Sequence, residues 1–174
     1  ATKPTATEFK FIENGDSSYK IVLPEESTEL LDYAAKELQT FVEKATGVTL
    51  EIVSDKKIKA AENVISLGKT TVAKKLGVKV TKKDDLGTSG YIIKTVGNSV
   101  AIVDDVNGDG EGVLYGVYDF MGDAIDFKVY ASDEIVYTTS KNVPLYAYDQ
   151  VVDPTFDERS LSYKELIKDV DYRH

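Results

Sequence analysis

The glycine-rich segment at residues 108–121 constrains the fold of this chain more than any other stretch. Glycines at alternate positions 108, 110 and 112 favour a tight turn, because glycine adopts positive φ angles without steric cost. Val113, Val117 and Phe120 then follow at a spacing that places them on one face of a helix. Gly116 interrupts this run, although glycine costs about 1 kcal/mol relative to alanine inside a helix. The segment therefore predicts a turn off a sheet and a helix buried against that sheet, with another backbone packed closely on Gly116.

A long amphipathic helix is predicted over residues 30–46. Acidic residues and two possible capping residues, Ser27 and Thr28, precede it, and Gly47 is a typical helix stop. Its apolar residues recur at helical spacing, which predicts one face packed on a sheet. They are Leu30, Leu31, Ala34, Leu38, Phe41, Val42 and Ala45.

Short apolar runs predict strands that alternate with these helices. Asn14-Gly15-Asp16 is expected to join the first two strands as a hairpin, and Gly97-Asn98 to join a later pair. A short helix is predicted at residues 71–76. The predicted strands cover residues 8–13, 19–23, 48–53, 64–67, 91–96, 100–103, 127–130 and 135–137.

The charge of the chain argues against nucleic acid as a partner. The net charge of the 174 residues is −9, yet residues 56–83 hold nine lysines and a single acid, Glu62. That segment has no arginine and no aromatic residue on which a base could stack. We therefore interpret it as a solvated lysine face and expect no nucleic-acid binding. No apolar run approaches the ~20 residues that span a bilayer.

The residue inventory excludes several kinds of catalytic site. The chain has no cysteine, which rules out disulfides, thiolate nucleophiles and cysteine-based zinc sites. Its one histidine is His174, so neither a Ser-His-Asp triad nor a multi-histidine metal site can be assembled. Residues 1–7 are polar and show no signal peptide, while the absence of cysteine suits an exported bacterial protein. We expect an extracellular or cell-surface location.

The turn before the third helix offers a calcium alternative. Asp105, Asn107 and Asp109, with glycine at 110, match the first half of an EF-hand loop. The bidentate glutamate expected at its twelfth position is replaced by Gly116, so we prefer an acidic turn that caps the helix. A phosphate cradle at the three glycines is disfavoured, because neighbouring acids would repel phosphate. We predict no resident cofactor or metal.

Acidic pairs and tyrosines are the remaining candidates for chemistry on sugars. Glycoside hydrolysis needs two carboxyl groups across the substrate, and neighbours in a strand point to opposite faces. Eleven of the 17 aromatic residues lie at or beyond Tyr115, and exposed rings could stack on a carbohydrate. The adjacent acidic pairs are Asp84-Asp85, Asp104-Asp105, Asp133-Glu134 and Asp157-Glu158.

The order of these pieces resembles a known domain. The quoted pieces are YKIVLPEESTELLDYAAKELQTFVEKATG, NVISLGKT, GTSGYIIKTVGNSVAIVDD, GVLYGVYDFM and the tail DPTFDER at residues 153–159. They resemble the small α/β domain that precedes the catalytic barrel of family 67 α-glucuronidases, family 20 β-hexosaminidases and related uncharacterised bacterial barrel proteins. Relatives often carry an arginine just before the third helix. Glu111-Gly112 stands there instead, so no role of that arginine is transferred.

The resemblance implies both fold and function. It implies an α+β or α/β two-layer sandwich, a mixed sheet with two to three helices mainly on one face. Residues 1–142 would form an accessory domain, and residues 143–174 a linker and the start of a following domain. The catalytic carboxylates of those families belong to the barrel, so we expect a non-catalytic domain that supports a downstream barrel, docked through the aromatic tail and residues 146–156. A carbohydrate-binding module with surface tyrosines and a calcium-binding structural domain stay open as alternatives.

Overall fold

A computed structural model describes residues 3–59, 63–81, 83–84, 86–87, 89–105, 111–131 and 134–153. Its helices are α1 (Glu29–Thr46), α2 (Thr71–Lys75) and α3 (Glu111–Ile125), with a 3₁₀ turn at Asp55–Lys57. Its strands are β1 (Ala6–Ile12), β2 (Lys20–Leu23), β3 (Glu51–Ser54), β4 (Val64–Leu67), β5 (Tyr91–Val96), β6 (Ser99–Val103), β7 (Lys128–Ala131), β8 (Glu134–Val136), β9 (Val143–Tyr146) and β10 (Asp149–Val152).

A mixed six-stranded sheet forms the centre, in the order β10-β5-β6-β4-β2-β3. Strands β3, β2, β4 and β6 run parallel, whereas β5 and β10 are antiparallel additions at one side. All four residues of β4 are buried, as expected of a central parallel strand covered on both faces. Two further strand pairs, β1 with β9 and β7 with β8, lie outside this sheet.

The two faces of the sheet carry layers of different size. Ile65, Leu67 and Ile102 belong to the main core with α1 and α3. The alternate residues Ala101 and Val103 pack beneath α2 and the segment after it. The predicted sandwich, with helices mainly on one face, is confirmed.

Helix α1 forms where its sequence signals predict it. Thr28 is the N-cap, and its Oγ1 accepts a hydrogen bond of 3.1 Å from the Leu31 amide. Gly47 ends the helix with a φ of 80°, a conformation that glycine adopts easily. The prediction for this helix is therefore confirmed at both ends.

Helix α3 lies so close to the sheet that two of its positions have no room for a side chain. A Cβ on Gly116 would lie 2.5 Å from Ile102 Cγ2 and 3.1 Å from Tyr91 Cδ2. The predicted close contact exists, but its partners at Gly116 are side chains rather than a backbone. The backbone contact occurs one turn earlier, where a Cβ on Gly112 would lie 2.1 Å from the carbonyl oxygen of Gly90.

The predicted hairpin between the first two strands is wrong. Asn14 and Gly15 do form a tight turn with φ angles of 51° and 75°. However, β1 pairs with β9, with Ala6 opposite Tyr146, while β2 lies between β3 and β4. Most β1 residues stay exposed or half-buried, whereas the apolar run of β2 is buried on both faces. Burial of that run places β2 inside the sheet, and β1 takes a peripheral partner.

Residues 143–152, which the sequence assigned to a linker, form two strands of this fold. Strand β9 pairs with β1, and β10 pairs with β5 with Val152 opposite Tyr91. The compact unit therefore extends to at least Val152. The residues from 154 to 174, where the start of a following domain is predicted, lie outside the described part of the chain.

A hydrogen bond joins the two long helices. Tyr118 of α3 donates its phenol proton to Glu37 Oε2 of α1 over 3.2 Å. Burial raises the pKa of the Glu37 carboxyl above its ordinary value, while hydrogen bonds from Tyr118 and Tyr33 and the charge of Lys44 act in the opposite direction. Because a raised folded-state pKa favours the protonated form, the ionised carboxyl costs stability at neutral pH.

We predict that Gly116→Ala destabilises the domain by about 1–3 kcal/mol. Overpacking against Ile102 outweighs the gain of about 1 kcal/mol in helix propensity. Urea unfolding of Gly116→Ala, Ile102→Ala and the double variant measures this. The cost of Gly116→Ala should shrink in the Ile102→Ala background, which removes the contacting methyl group. A Gly116→Ala protein as stable as the wild type would contradict the close contact.

We predict that the change in unfolding free energy caused by Glu37→Gln is more stabilising at pH 7 than at pH 4. The stability that Glu37 contributes is present below its unfolded-state pKa and is lost as the pH rises through its raised folded-state pKa, whereas glutamine does not titrate. Thermal unfolding from pH 4 to 8 measures the difference between wild type and variant. Glu26→Gln, an exposed change in the loop before α1, is the control and should give a flat difference. A Glu37→Gln difference that is equally flat would show this account to be wrong.

Candidate functional site

The acidic residues of α3 are hydrogen-bonded to tyrosines of the fold. Asp123 Oδ2 accepts from the Tyr148 phenol at 2.8 Å, and Asp119 accepts from the Tyr91 phenol. At the start of the helix, Glu111 accepts from Tyr115 at 3.1 Å. The bonds to Asp119 and Asp123 tie α3 to β5 and to the chain between β9 and β10, whereas the Glu111–Tyr115 bond lies within α3.

Tyr148, and Tyr118 in its bond to Glu37, act as proton donors rather than bases. Burial, followed by the charge and hydrogen bond of Asp123, raises the pKa of Tyr148 well above its ordinary value. Burial and then Glu37 raise the pKa of Tyr118 in the same way. Both phenols therefore stay protonated near neutral pH, and each donates to a carboxylate.

The acidic pairs singled out in the sequence are only partly described by the structure. Asp84 accepts hydrogen bonds from the amide and hydroxyl of Thr81 at 2.7 and 3.0 Å. Asp104 is buried and accepts from the Val113 amide at 3.4 Å, and Glu134 is exposed on β8. Asp85, Asp133, Asp157 and Glu158 lie outside the described residues.

The calcium alternative is a prediction that the described residues do not reach. Asp105 lies half-buried after β6, while Asn107 and Asp109 fall within the undescribed residues 106–110. Within the described part of the chain, no group of three acidic or histidine side chains is arranged to hold a metal ion. The calcium loop therefore remains a prediction from the sequence.

Most of the described tyrosines belong to the core. Tyr19, Tyr91, Tyr115, Tyr118 and Tyr148 are all at most 3% exposed. Among the tyrosines in the described ranges, Tyr130 on β7 is the exposed one, at 63%.

The last described strand is fastened firmly to the domain. Thr95 of β5 donates its hydroxyl to the Tyr146 carbonyl at 2.6 Å, and its hydroxyl accepts from the Tyr148 amide at 2.9 Å. On the other side, the Thr7 hydroxyl of β1 donates to the Leu145 carbonyl at 2.7 Å. These bonds hold the end of β9 and the chain that leads into β10, and β10 itself pairs with β5.

The aromatic side chains of residues 146–152 do not form the exposed surface that the sequence predicts there. Tyr148 points into the core, and Tyr146 is half-buried with Lys3 Nζ 5.0 Å from its ring centroid. Val151 of β10 is instead 60% exposed, on the edge strand of the sheet. Phe156, the remaining ring of the predicted interface, lies outside the described residues.

No helix in the described residues is both long and apolar enough to cross a membrane.

Solved structures of glycoside hydrolases resemble this chain at low sequence identity, and the first of the two below shares its fold. One is a family GH115 4-O-methyl-α-glucuronidase with specificity for decorated arabinogalactans, with a TM-score of 0.56 and 8% identity over 83% of this chain and 18% of that one. Another is the GH20 β-N-acetylhexosaminidase from Streptomyces coelicolor A3(2), with a TM-score of 0.49 and 16% identity over 88% of this chain and 24% of that one. The chain thus spans about a fifth to a quarter of the length of these enzymes.

A family model supplies the assignment. No curated protein matches the chain. The model for the N-terminus of glycosyl hydrolase family 67 matches residues 12–120, more than half of the chain, and confirms the predicted resemblance. The chain therefore belongs to the family described as the glycosyl hydrolase family 67 N-terminus.

Proposed function

We propose that this chain is a non-catalytic accessory domain that supports a downstream glycoside-hydrolase-type barrel of the same polypeptide. Its membership of an N-terminal family of glycosyl hydrolases supports a role in a carbohydrate-active protein. The engagement of the α3 carboxylates and Glu37 by tyrosines agrees with a structural role for these acids.

The position of β10 supports the proposal. Strand β10 lies at an open edge of the central sheet and pairs with β5. In this proposal the barrel follows later in the same polypeptide and docks along this edge, where exposed Val151 offers an apolar contact. Contact along a fixed edge strand would hold the neighbour in one orientation, as a supporting domain requires.

The isolated chain is expected to show no turnover on aryl glycosides, whereas the full-length parent protein is expected to hydrolyse a glycoside. Expression of the parent with and without residues 1–153 tests the supporting role. Removal of these residues should lower the unfolding temperature or the soluble yield of the barrel. A barrel of unchanged stability, or a parent gene without a following domain, would contradict the proposal.

We predict that Val151→Lys weakens the contact between the two domains without disturbing this one. In the full-length parent, the variant should lower the unfolding temperature by several degrees, because a charge replaces a buried apolar contact. In the isolated chain, the same change should stay within about 0.5 kcal/mol, since Val151 is exposed there. Differential scanning calorimetry of both proteins measures the contrast.

Val136→Lys is the matched control. Val136 is 44% exposed on β8, and the chain after β8 contacts α1, where the Ser140 amide donates to the Ala45 carbonyl at 2.9 Å. Helix α1 covers the β2–β3 side of the sheet, away from β10. Equal effects of the two variants in the parent would argue against docking through β10.

A further inference from the structure

A thin layer covers the face of the central sheet that lies opposite α1 and α3. It consists of the 3₁₀ turn, α2 and the segment that follows α2. The turn is joined to the helix, because Asp55 Oδ2 accepts a hydrogen bond of 2.8 Å from the Thr71 amide. Val72 and Ala73 of α2 pack on this face of the sheet, as does Val78 after the helix. Packing therefore holds the layer in one position on the sheet.

Lysines cover the outer side of this layer. In α2, Val72 and Ala73 are buried against the sheet, whereas the lysines at positions 74 and 75 are exposed. We call the exposed lysines of the turn, the helix and their flanks the lysine layer; they are Lys57, Lys59, Lys69, Lys74, Lys75 and Lys79. Within the described residues the two ion pairs are Lys20–Glu51 and Lys56–Glu25, and neither includes a member of the lysine layer.

The charge of the domain is divided between its two faces. The described residues between positions 55 and 84 hold eight lysines and two acids, Asp55 and Asp84, which gives a local charge of +6. On the other face, α3 carries Glu111, Asp119 and Asp123 and has no lysine or arginine. A strongly positive face on a chain whose net charge is −9 favours contact with an anionic partner from one side only.

Half-buried apolar side chains lie among these lysines. Ile58 lies in the chain between two members of the lysine layer, and Leu76 and Val80 each follow one directly. All three pack against the apolar clusters beneath the layer while part of their surface stays exposed. Lysines combined with partly exposed apolar groups suit the headgroup region of a lipid bilayer, where negative charge adjoins an apolar interior. A soluble polyanion would contact the charges alone.

We propose that the lysine layer docks on a membrane surface that carries anionic phospholipids. The ammonium groups contact headgroup phosphates, the exposed parts of Ile58, Leu76 and Val80 lie at the same level, and acidic α3 faces away from the membrane. Lysines act as separate point charges, so a broad, flat face binds such a surface without converging on a pocket. This contact goes beyond the supporting role proposed above and does not depend on it.

Cosedimentation of the 174-residue chain with phosphatidylcholine vesicles that contain about 30 mol% phosphatidylglycerol tests the proposal. Binding should be saturable, and it should be at least about tenfold weaker with vesicles of phosphatidylcholine alone. The double variant Lys74→Gln/Lys75→Gln should weaken binding at least about tenfold, because each lysine near an anionic surface contributes about fivefold. Raised salt should weaken it as well, since these charges are exposed.

Lys36→Gln/Lys128→Gln is the matched control. It removes the same charge from exposed positions of α1 and β7, whose buried residues pack in the main core on the other face. Its binding to the anionic vesicles should equal that of the wild type. Absence of binding, equal binding to phosphatidylcholine alone, or an equal loss in the control would each overturn the proposal. Tighter binding of soluble polyphosphate than of the vesicles would overturn it too, since the layer would then be a site for a polymer.

None of these outcomes affects the supporting role, because that role is measured by the stability of the full-length parent.

Discussion

The close approach of α3 to strands β5 and β6 is the constraint on which the rest of this structure depends. Gly112 and Gly116 remove the two Cβ atoms that would otherwise meet the Gly90 carbonyl and the Ile102 side chain. The helix can then lie directly on the sheet and bring its remaining residues against α1, β1 and β9. Phe120, near its end, packs edge-to-face on Phe11 of β1 with ring centroids 5.3 Å apart. A wider gap would loosen all of these contacts together, because protein interiors are packed without spare volume.

Buried tyrosines add hydrogen bonds to this arrangement, and these bonds engage acidic side chains of the two long helices. Tyr148 and Tyr118 are held protonated by their surroundings and donate to Asp123 and Glu37. Both carboxyl groups are half-buried, and each accepts a hydrogen bond from a core tyrosine. These hydrogen bonds thus join α3 to its neighbours.

The sequence predicted the elements whose signals are local and missed the pairings that depend on distant residues. Helix α1 is marked by Thr28, its apolar stripe and Gly47, and the β5–β6 hairpin by Gly97-Asn98, so neither needs distant information. The partner of β1 lies more than 130 residues away in β9, and no local pattern records that pairing. The tail was misread for the same reason, since its half-exposed strands resemble a linker until their partners are known.

The same distinction applies to the candidate sites. The lysine-rich segment was interpreted as a solvated face, which is correct for most of its charges. A cleft lined by Lys69, Lys74 and Lys79 arises because Val103, far along the chain in β6, contributes to its floor. A concavity built by non-neighbouring residues leaves no periodic or motif signal in the sequence.

The pairing of β1 with β9 also sets the order in which this protein can be assembled during synthesis. Ala6 is opposite Tyr146, so the first strand leaves the ribosome long before its partner exists. The central parallel strands and α1 can collapse earlier, because all their residues lie upstream of α3. Final closure must wait until the region of Tyr146 has emerged, together with the edge strand that follows it. The N-terminal strand is thus fixed last.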